Sequence, residues 1–240
     1  MAGMHRDKCG ASNAIGFMHA IGTLKPKNFH CTVAACLVRN SVGSECYVAD
    51  EIIKNRTGKY IRVGNTDAEG RMAMVDVLCH MKERAISENW IKPQFFTWAT
   101  LTGHSCLAFG EHYSACMSNG PARLAKTCER LIKYGHLVAD PFELSTTRRE
   151  DFQAHAGKDI YTDLLQANNA PSTRTPRGHQ NPSAFLTCGS GLDAHGNDSD
   201  KPLAYTHIDM APSAGPFPGL PTGNPIRAFL ETFVFSQNLV

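Results

Sequence analysis

Short apolar runs alternate along the chain with stretches of helical periodicity. Tyr60-Ile61-Arg62-Val63 is a short strand broken by Gly64, and Met74, Val75, Leu78, Met81 and Ala85 then recur at helical spacing, predicting a helix to about Asn89. Upstream, Ile15, Met18, Ala20 and Ile21 predict a helix over 10–24, and the nearly continuous apolar run 29–38 fits a buried strand. Residues 39–43 follow as a loop. The aromatic-rich stretch 93–99 is a strand ending in the small polar turn Thr100-Leu101-Thr102-Gly103. A further strand is predicted over 114–119, then a helix over 120–134 with Leu124, Cys128, Leu131 and Ile132 inward. Residues 145–182 are polar and broken by Pro171, Pro176 and Pro182, so loops are expected, with Arg174 and Arg177 exposed. A helix begins at 181 with Pro182 in its first turn, a last strand covers 203–211, and a terminal helix covers 225–235. Strands alternating with helices predict an α/β fold: a mostly parallel or mixed central sheet with helices on both faces.

Composition narrows the function classes. The chain has 240 residues, enough for one sizeable core, and its 42% hydrophobic and 19% charged content is ordinary for a globular domain. A net charge of +2 gives no reason to expect nucleic acid or a membrane surface as partner. No apolar run approaches the length of a membrane span, and the first residues carry no apolar core of a secretory signal. Nine scattered cysteines without a C-x-x-C pair fit reduced thiols in a cytoplasmic protein.

The densest chemistry lies in Asn65-Thr66-Asp67-Ala68-Glu69-Gly70-Arg71, on a strand-to-helix turn. Asp67 and Glu69 are two apart, so in a turning backbone they point to one side, where paired carboxylates repel unless a cation lies between them. The competing reading is a capped helix start, with Thr66 or Asp67 as N-cap and Glu69 in the first turn. Asp7 by itself is an exposed charge or a cap for the helix that follows. His80 is expected at the solvated surface, and His104 and His112 lack the paired spacing of a zinc site.

Taken whole, that heptapeptide resembles, residue for residue, the signature of the leucyl (cytosol) aminopeptidase family. The resemblance implies Asp67 and Glu69 as ligands of two divalent metal ions, Mn²⁺ or Zn²⁺. It also implies Arg71 as a catalytic residue, with bicarbonate as its bound anion. Met4-His5-Arg6-Asp7-Lys8-Cys9-Gly10-Ala11-Ser12 looks like the family's Met-x-x-Asp motif with its following Gly-Ala-Ala, Ser12 replacing the last Ala. The 60 residues from Asp7 to Asp67 are close to the family's interval. Asp7 is thereby implied as a third metal ligand, and Met4 as a wall of the pocket for the substrate's first side chain. Ala99-Thr100-Leu101-Thr102-Gly103 matches the family's substrate-binding floor, which implies Thr100, Leu101 and Gly103 in substrate binding. The segment 203–211 resembles the family's last strand, implying that His207 and Asp209 support the site from behind. Pro141-Phe142 is similar to a family turn.

The resemblance runs from near residue 4 to near 235. It implies a two-metal aminopeptidase that releases N-terminal amino acids from peptides, in a homo-oligomer, a hexamer in the family. The family's first metal-binding motif, Lys-Gly-x-x-(Phe/Tyr)-Asp-(Thr/Ser)-Gly-Gly, and its separate N-terminal domain do not occur in the sequence. The expectation is therefore a catalytic domain over 1–240, incomplete at its N-terminus, with weak or absent activity of its own. The alternative is a catalytically inactive short form acting as a structural or regulatory subunit of a family oligomer.

Overall fold

The computed structural model describes residues 3–171 and 174–240. Ser172 and Thr173, within the loop expected around Pro171 and Pro176, lie outside the described residues, as do Met1 and Ala2.

Among the described residues, seven strands form two sheets. Strands β1 (Ile52–Lys54), β2 (Tyr60–Arg62) and β6 (Leu164–Leu165) make one, in the order β1-β2-β6. Strands β3 (Gln94–Ala99), β4 (Ser114–Ser118), β5 (Phe142–Leu144) and β7 (Ala204–Asp209) make the other, in the order β3-β7-β4-β5. Both are mixed: β2 runs parallel to β6, β3 to β7 and β4 to β5, while β1–β2 and β4–β7 are antiparallel.

The period-two alternation of β3 and β7 places a core on each face of the larger sheet. Phe95 and Tyr205 point to one side, where α2 (Glu69–Ser87) and α7 (Asn181–Gly189) supply Val75, Leu78, Phe185 and Leu186. Phe96, Trp98 and Ile208 point to the other, against α1 (Cys9–Leu24), α5 (Thr127–Leu137) and α8 (Ile226–Phe233). There Phe229 meets Phe17, Phe96 and Trp98 edge-on, with centroids 6.1, 4.9 and 4.4 Å away. Helices thus cover both faces, and the α/β expectation holds.

Four local expectations are corrected. The run 29–38 forms no strand. Phe29 and Cys31 lean on one core and Cys36 on the other, but Leu37 and Val38 are 62% and 63% exposed. Apolar content alone does not make a strand; a hydrogen-bonding partner edge is needed, and among the described residues no strand pairs with this run. The helix expected over 120–134 is two, α4 (Gly120–Leu124) and α5, because the chain turns through a left-handed Lys126 (φ 54°) and so aims Cys128 and Leu131 at the core. The polar stretch 145–182 holds α6 (Arg149–Ala154) and β6, and Phe142 opens β5 instead of a turn. Arg177 is exposed, as expected, yet it grips the buried carboxylate of Asp151 with two contacts of 2.6 and 2.8 Å.

One close approach fixes α1. A Cβ on Gly10 would lie 2.2 Å from the Trp98 carbonyl oxygen, so only glycine lets the start of α1 rest on the end of β3. Gly10→Ala is expected to cost about 1–3 kcal/mol in chemical denaturation, because the obstacle is backbone and cannot swing aside. A variant as stable as the wild type would show that this contact is not tight.

Candidate functional site

The signature turn lies between the end of β2 and the start of α2. Neither Thr66 nor Asp67 caps that helix: the cap position is Ala68, without a side-chain hydrogen bond. The Asp67 backbone N–H instead donates to Asn65 Oδ1 (2.9 Å), a local turn that leaves the Asp67 carboxylate exposed and uncommitted to the helix end.

Asp7 arrives from the far end of the chain, directly after a 3₁₀ turn over Met4–Arg6. Thr100 Oγ1 lies 2.6 Å from Asp7 Oδ1 and 3.0 Å from its carbonyl oxygen, which locks the acid onto the turn after β3. That turn is shaped by the buried Asp209 at the end of β7. Its carboxylate accepts from Leu101 N (3.1 Å), Thr102 Oγ1 (2.6 Å) and Ala211 N (3.2 Å). Leu101 in turn reaches the signature, with Cδ1 3.1 Å from where a Gly70 Cβ would be.

The three acids feel one another. Burial raises the Asp7 carboxyl above its usual range, the Thr100 hydrogen bond lowers it, and the Asp67 charge raises it again. Burial likewise raises Glu69, and the Asp7 and Asp67 carboxylates add to the shift. Among the described residues, Glu69 Oε2 is buried without a hydrogen-bond partner. An orphaned carboxylate oxygen among like charges is costly, and hard divalent cations relieve that arrangement. The donor chemistry therefore suits such an ion. Among the described residues, however, no three His, Cys, Asp or Glu side chains form a group that could hold a metal by themselves.

Arg71 points inward and is 8% exposed. Its Nη1 donates to the Gln166 carbonyl oxygen (2.9 Å), and among the described residues its Nε is buried without a hydrogen-bond partner. Burial lowers its pKa to about 10, against the pull of Asp209 and Glu69. The Asp7, Asp67, Glu69, Arg71, Thr100 and Leu101 positions are thus linked. Met4 and Gly103 are less engaged. Met4 is 50% exposed, and Gly103 opens α3 (Gly103–Phe109) with open space where a Cβ would stand.

His207 faces the inner side of the sheet, fully buried, with Nδ1 2.8 Å from Thr97 Oγ1. His80 is exposed, as expected. Sequence reading missed Gln166, Asn40 and Tyr47. Tyr47 Oη and Asn40 Nδ2 donate to the Thr66 carbonyl at 2.7 and 3.0 Å. Gln166 makes four bonds to the turn's backbone. Its one local signal is a polar residue directly after the apolar pair Leu164-Leu165.

Residues 1–230 match the model of the cytosol aminopeptidase family, catalytic domain. A Caenorhabditis elegans protein named "Putative aminopeptidase W07G4.4" is 45% identical over 234 residues, which is 98% of this chain and 44% of that protein. A "Probable cytosol aminopeptidase" of Persephonella marina is 32% identical over 246 residues, 99% of this chain and 44% of its own length. Another protein so named, from Sulfurihydrogenibium, is 40% identical over 217 residues, 88% of this chain and 37% of its own. The chain spans less than half the length of these relatives.

Burial gives the site's floor a pH signature. It lowers His207 to about 3, assisted by the Arg71 and His179 charges, and lowers His155 to about 4. An unfolded histidine titrates near 6.5, so below that pH the unfolded chain takes up protons that the folded one refuses, and stability falls towards pH 4. Buried carboxylates such as Asp140, raised to about 6, act in the opposite sense: the stability they add at low pH is lost as pH rises through that value. Comparing His207→Asn with wild type isolates the histidine. The loss of unfolding free energy between about pH 7 and pH 4.5 should shrink by about 2–3 kcal/mol in urea titrations. An unchanged acid slope would contradict a neutral, buried His207.

Proposed function

Because the chain belongs to the cytosol aminopeptidase family, we propose that it carries the acidic, metal-holding side of an aminopeptidase site that releases N-terminal residues from peptides. The observation that supports this most is that Asp7, Asp67 and Glu69 lie within electrostatic range of one another, with Glu69 Oε2 buried and, among the described residues, without a hydrogen-bond partner. In this reading the three carboxylates hold divalent ions, Mn²⁺ or Zn²⁺, which all-oxygen ligation accommodates. When bound, such ions polarise a peptide carbonyl and lower the pKa of water.

The chain's own residues do the rest. The Thr100–Asp7 bond keeps the acid facing the signature turn. The turn over Thr100, Leu101 and Gly103 is the floor on which the peptide lies, and Met4 stands at its rim beside the substrate's first side chain. Arg71, low in its own pKa and with an uncommitted Nε, offers a donor in a dry setting to a developing negative charge or to a small anion such as bicarbonate. A homo-oligomer, a hexamer as in the family, and a cytoplasmic setting belong to the same proposal. Among the described residues no helix is long and apolar enough to cross a membrane.

A second reading, a non-catalytic subunit of a family oligomer, is favoured by the absence, among the described residues, of a side-chain group able to hold a metal by itself. Hydrolysis of leucine p-nitroanilide with added Mn²⁺ or Zn²⁺ separates the two. The catalytic reading expects metal-dependent turnover that falls at least about 100-fold in Asp67→Asn, since removing a ligand removes the polarising ion. Turnover indifferent to that substitution, or none at any metal concentration, would favour the non-catalytic subunit.

A further inference from the structure

We propose that Gln166 is the positioning residue of the signature turn, a single side chain that sets where Asp67 and Glu69 stand while its main chain fixes Arg71. This rests on the reading of those acids as cation ligands.

The Gln166 side chain is fully buried. Its Oε1 accepts from the backbone N–H groups of Gly64 (3.1 Å) and Asn65 (3.0 Å). Its Nε2 donates to the carbonyl oxygens of Asn65 (2.7 Å) and Ala68 (2.9 Å). A primary amide has two acceptor sites and two donors, and all four are used on one turn. Among the described residues the N–H groups of Gly64 and Asn65 have no other acceptor, so there the amide stands in for missing secondary structure, while the Asn65 carbonyl, which also accepts from Ala68 N (3.1 Å), gains a second donor. The Gln166 carbonyl, meanwhile, accepts from Arg71 Nη1 at 2.9 Å. One residue therefore touches the signature at its beginning, its middle and its end.

The surroundings are built for that contact. The β2–β6 register pairs Ile61 with Leu164 and Arg62 with Leu165, and Gln166 N continues it by donating to Arg62 O (2.8 Å). On the far side, Leu165 N donates to His155 O (2.9 Å), and His155 Nδ1 lies 2.8 Å from Leu165 O, bracing the short strand. Gly64 makes the approach possible, because a Cβ there would be 1.8 Å from the Ala167 carbonyl oxygen. A neutral amide is also the right chemistry beside three acids. A glutamate would set a fourth negative charge against them and lose both donated bonds, and a leucine would leave the part-buried N–H groups of Gly64 and Asn65 without their acceptor.

The test uses three variants of the chain: Gln166→Met, the milder Gln166→Asn, and Leu186→Ala as a core control whose side chain offers the turn no hydrogen bond. Two quantities are read for each: Mn²⁺ affinity by calorimetry and amide exchange at Gly64 and Asn65. In Gln166→Met, Mn²⁺ should bind at least about tenfold more weakly, the size of effect that groups orienting metal ligands produce. Exchange at the two amides should speed up while the rest of the core stays protected. Gln166→Asn should fall between, and it carries the test if the methionine variant does not fold. Leu186→Ala should lose stability with Mn²⁺ affinity unchanged. Wild-type affinity and exchange in the Gln166 variants, or an equal loss in Leu186→Ala, would overturn the proposal. If the wild-type chain binds no Mn²⁺, the metal reading fails by itself, and the exchange at Gly64 and Asn65 still decides whether Gln166 holds the turn.

Discussion

Three like charges are held within electrostatic range of one another without a cationic side chain paired to them among the described residues, and the site's architecture follows from that constraint. Asp7 is fixed by the neutral Thr100 hydroxyl and the turn bearing Asp67 and Glu69 by the neutral Gln166 amide, while the floor between them is shaped by the buried carboxylate of Asp209. Had lysines neutralised these acids, the structure would be more stable and a cation would gain nothing by binding. Instead the repulsion is left standing, with one carboxylate oxygen buried and unsatisfied. Sites that store cost in this way are where function is found, because the rest of a fold has no reason to retain it.

The two mixed sheets serve this end. Parallel strands β3 and β7 finish together, with Ala99 opposite Asp209, so the chain leaves both at one edge. Helix α1 reaches that edge because Gly10 has no side chain, and segment 166–167 reaches β2 because Gly64 has none. Beneath the edge, the core is dry enough to keep His207 neutral and to lower the guanidinium of Arg71. A donor poised in such a setting interacts more strongly with a negative charge than the same group in water.

Much of this was legible in the sequence, for reasons that differ by element. Helix α2 announces itself by apolar residues at helical spacing, and strand β3 by its aromatic content. The signature turn was legible as chemistry, since its functional side chains are contiguous. The run 29–38 misled because strand formation depends on a partner edge that no local pattern encodes. Lys126 divides a helical pattern by adopting a backbone conformation that its identity does not favour. Gln166 was invisible because its partners Gly64 and Asn65 lie about a hundred residues away, 102 and 101 positions in sequence. Its meaning comes from the β2–β6 pairing, and β6 is only two residues long, too short to leave a periodic trace. Asn40 and Tyr47 hold Thr66 from 26 and 19 positions upstream and lie outside any regular element, so no period marks them.

If the Asp7, Asp67 and Glu69 carboxylates form the cation-binding side of the site, as proposed, anomalous diffraction from crystals of the chain soaked in Mn²⁺ should show a peak in direct contact with the carboxylates of Asp67 and Glu69, on the side facing Asp7. A well-occupied peak elsewhere, or none there at saturating Mn²⁺, would contradict it.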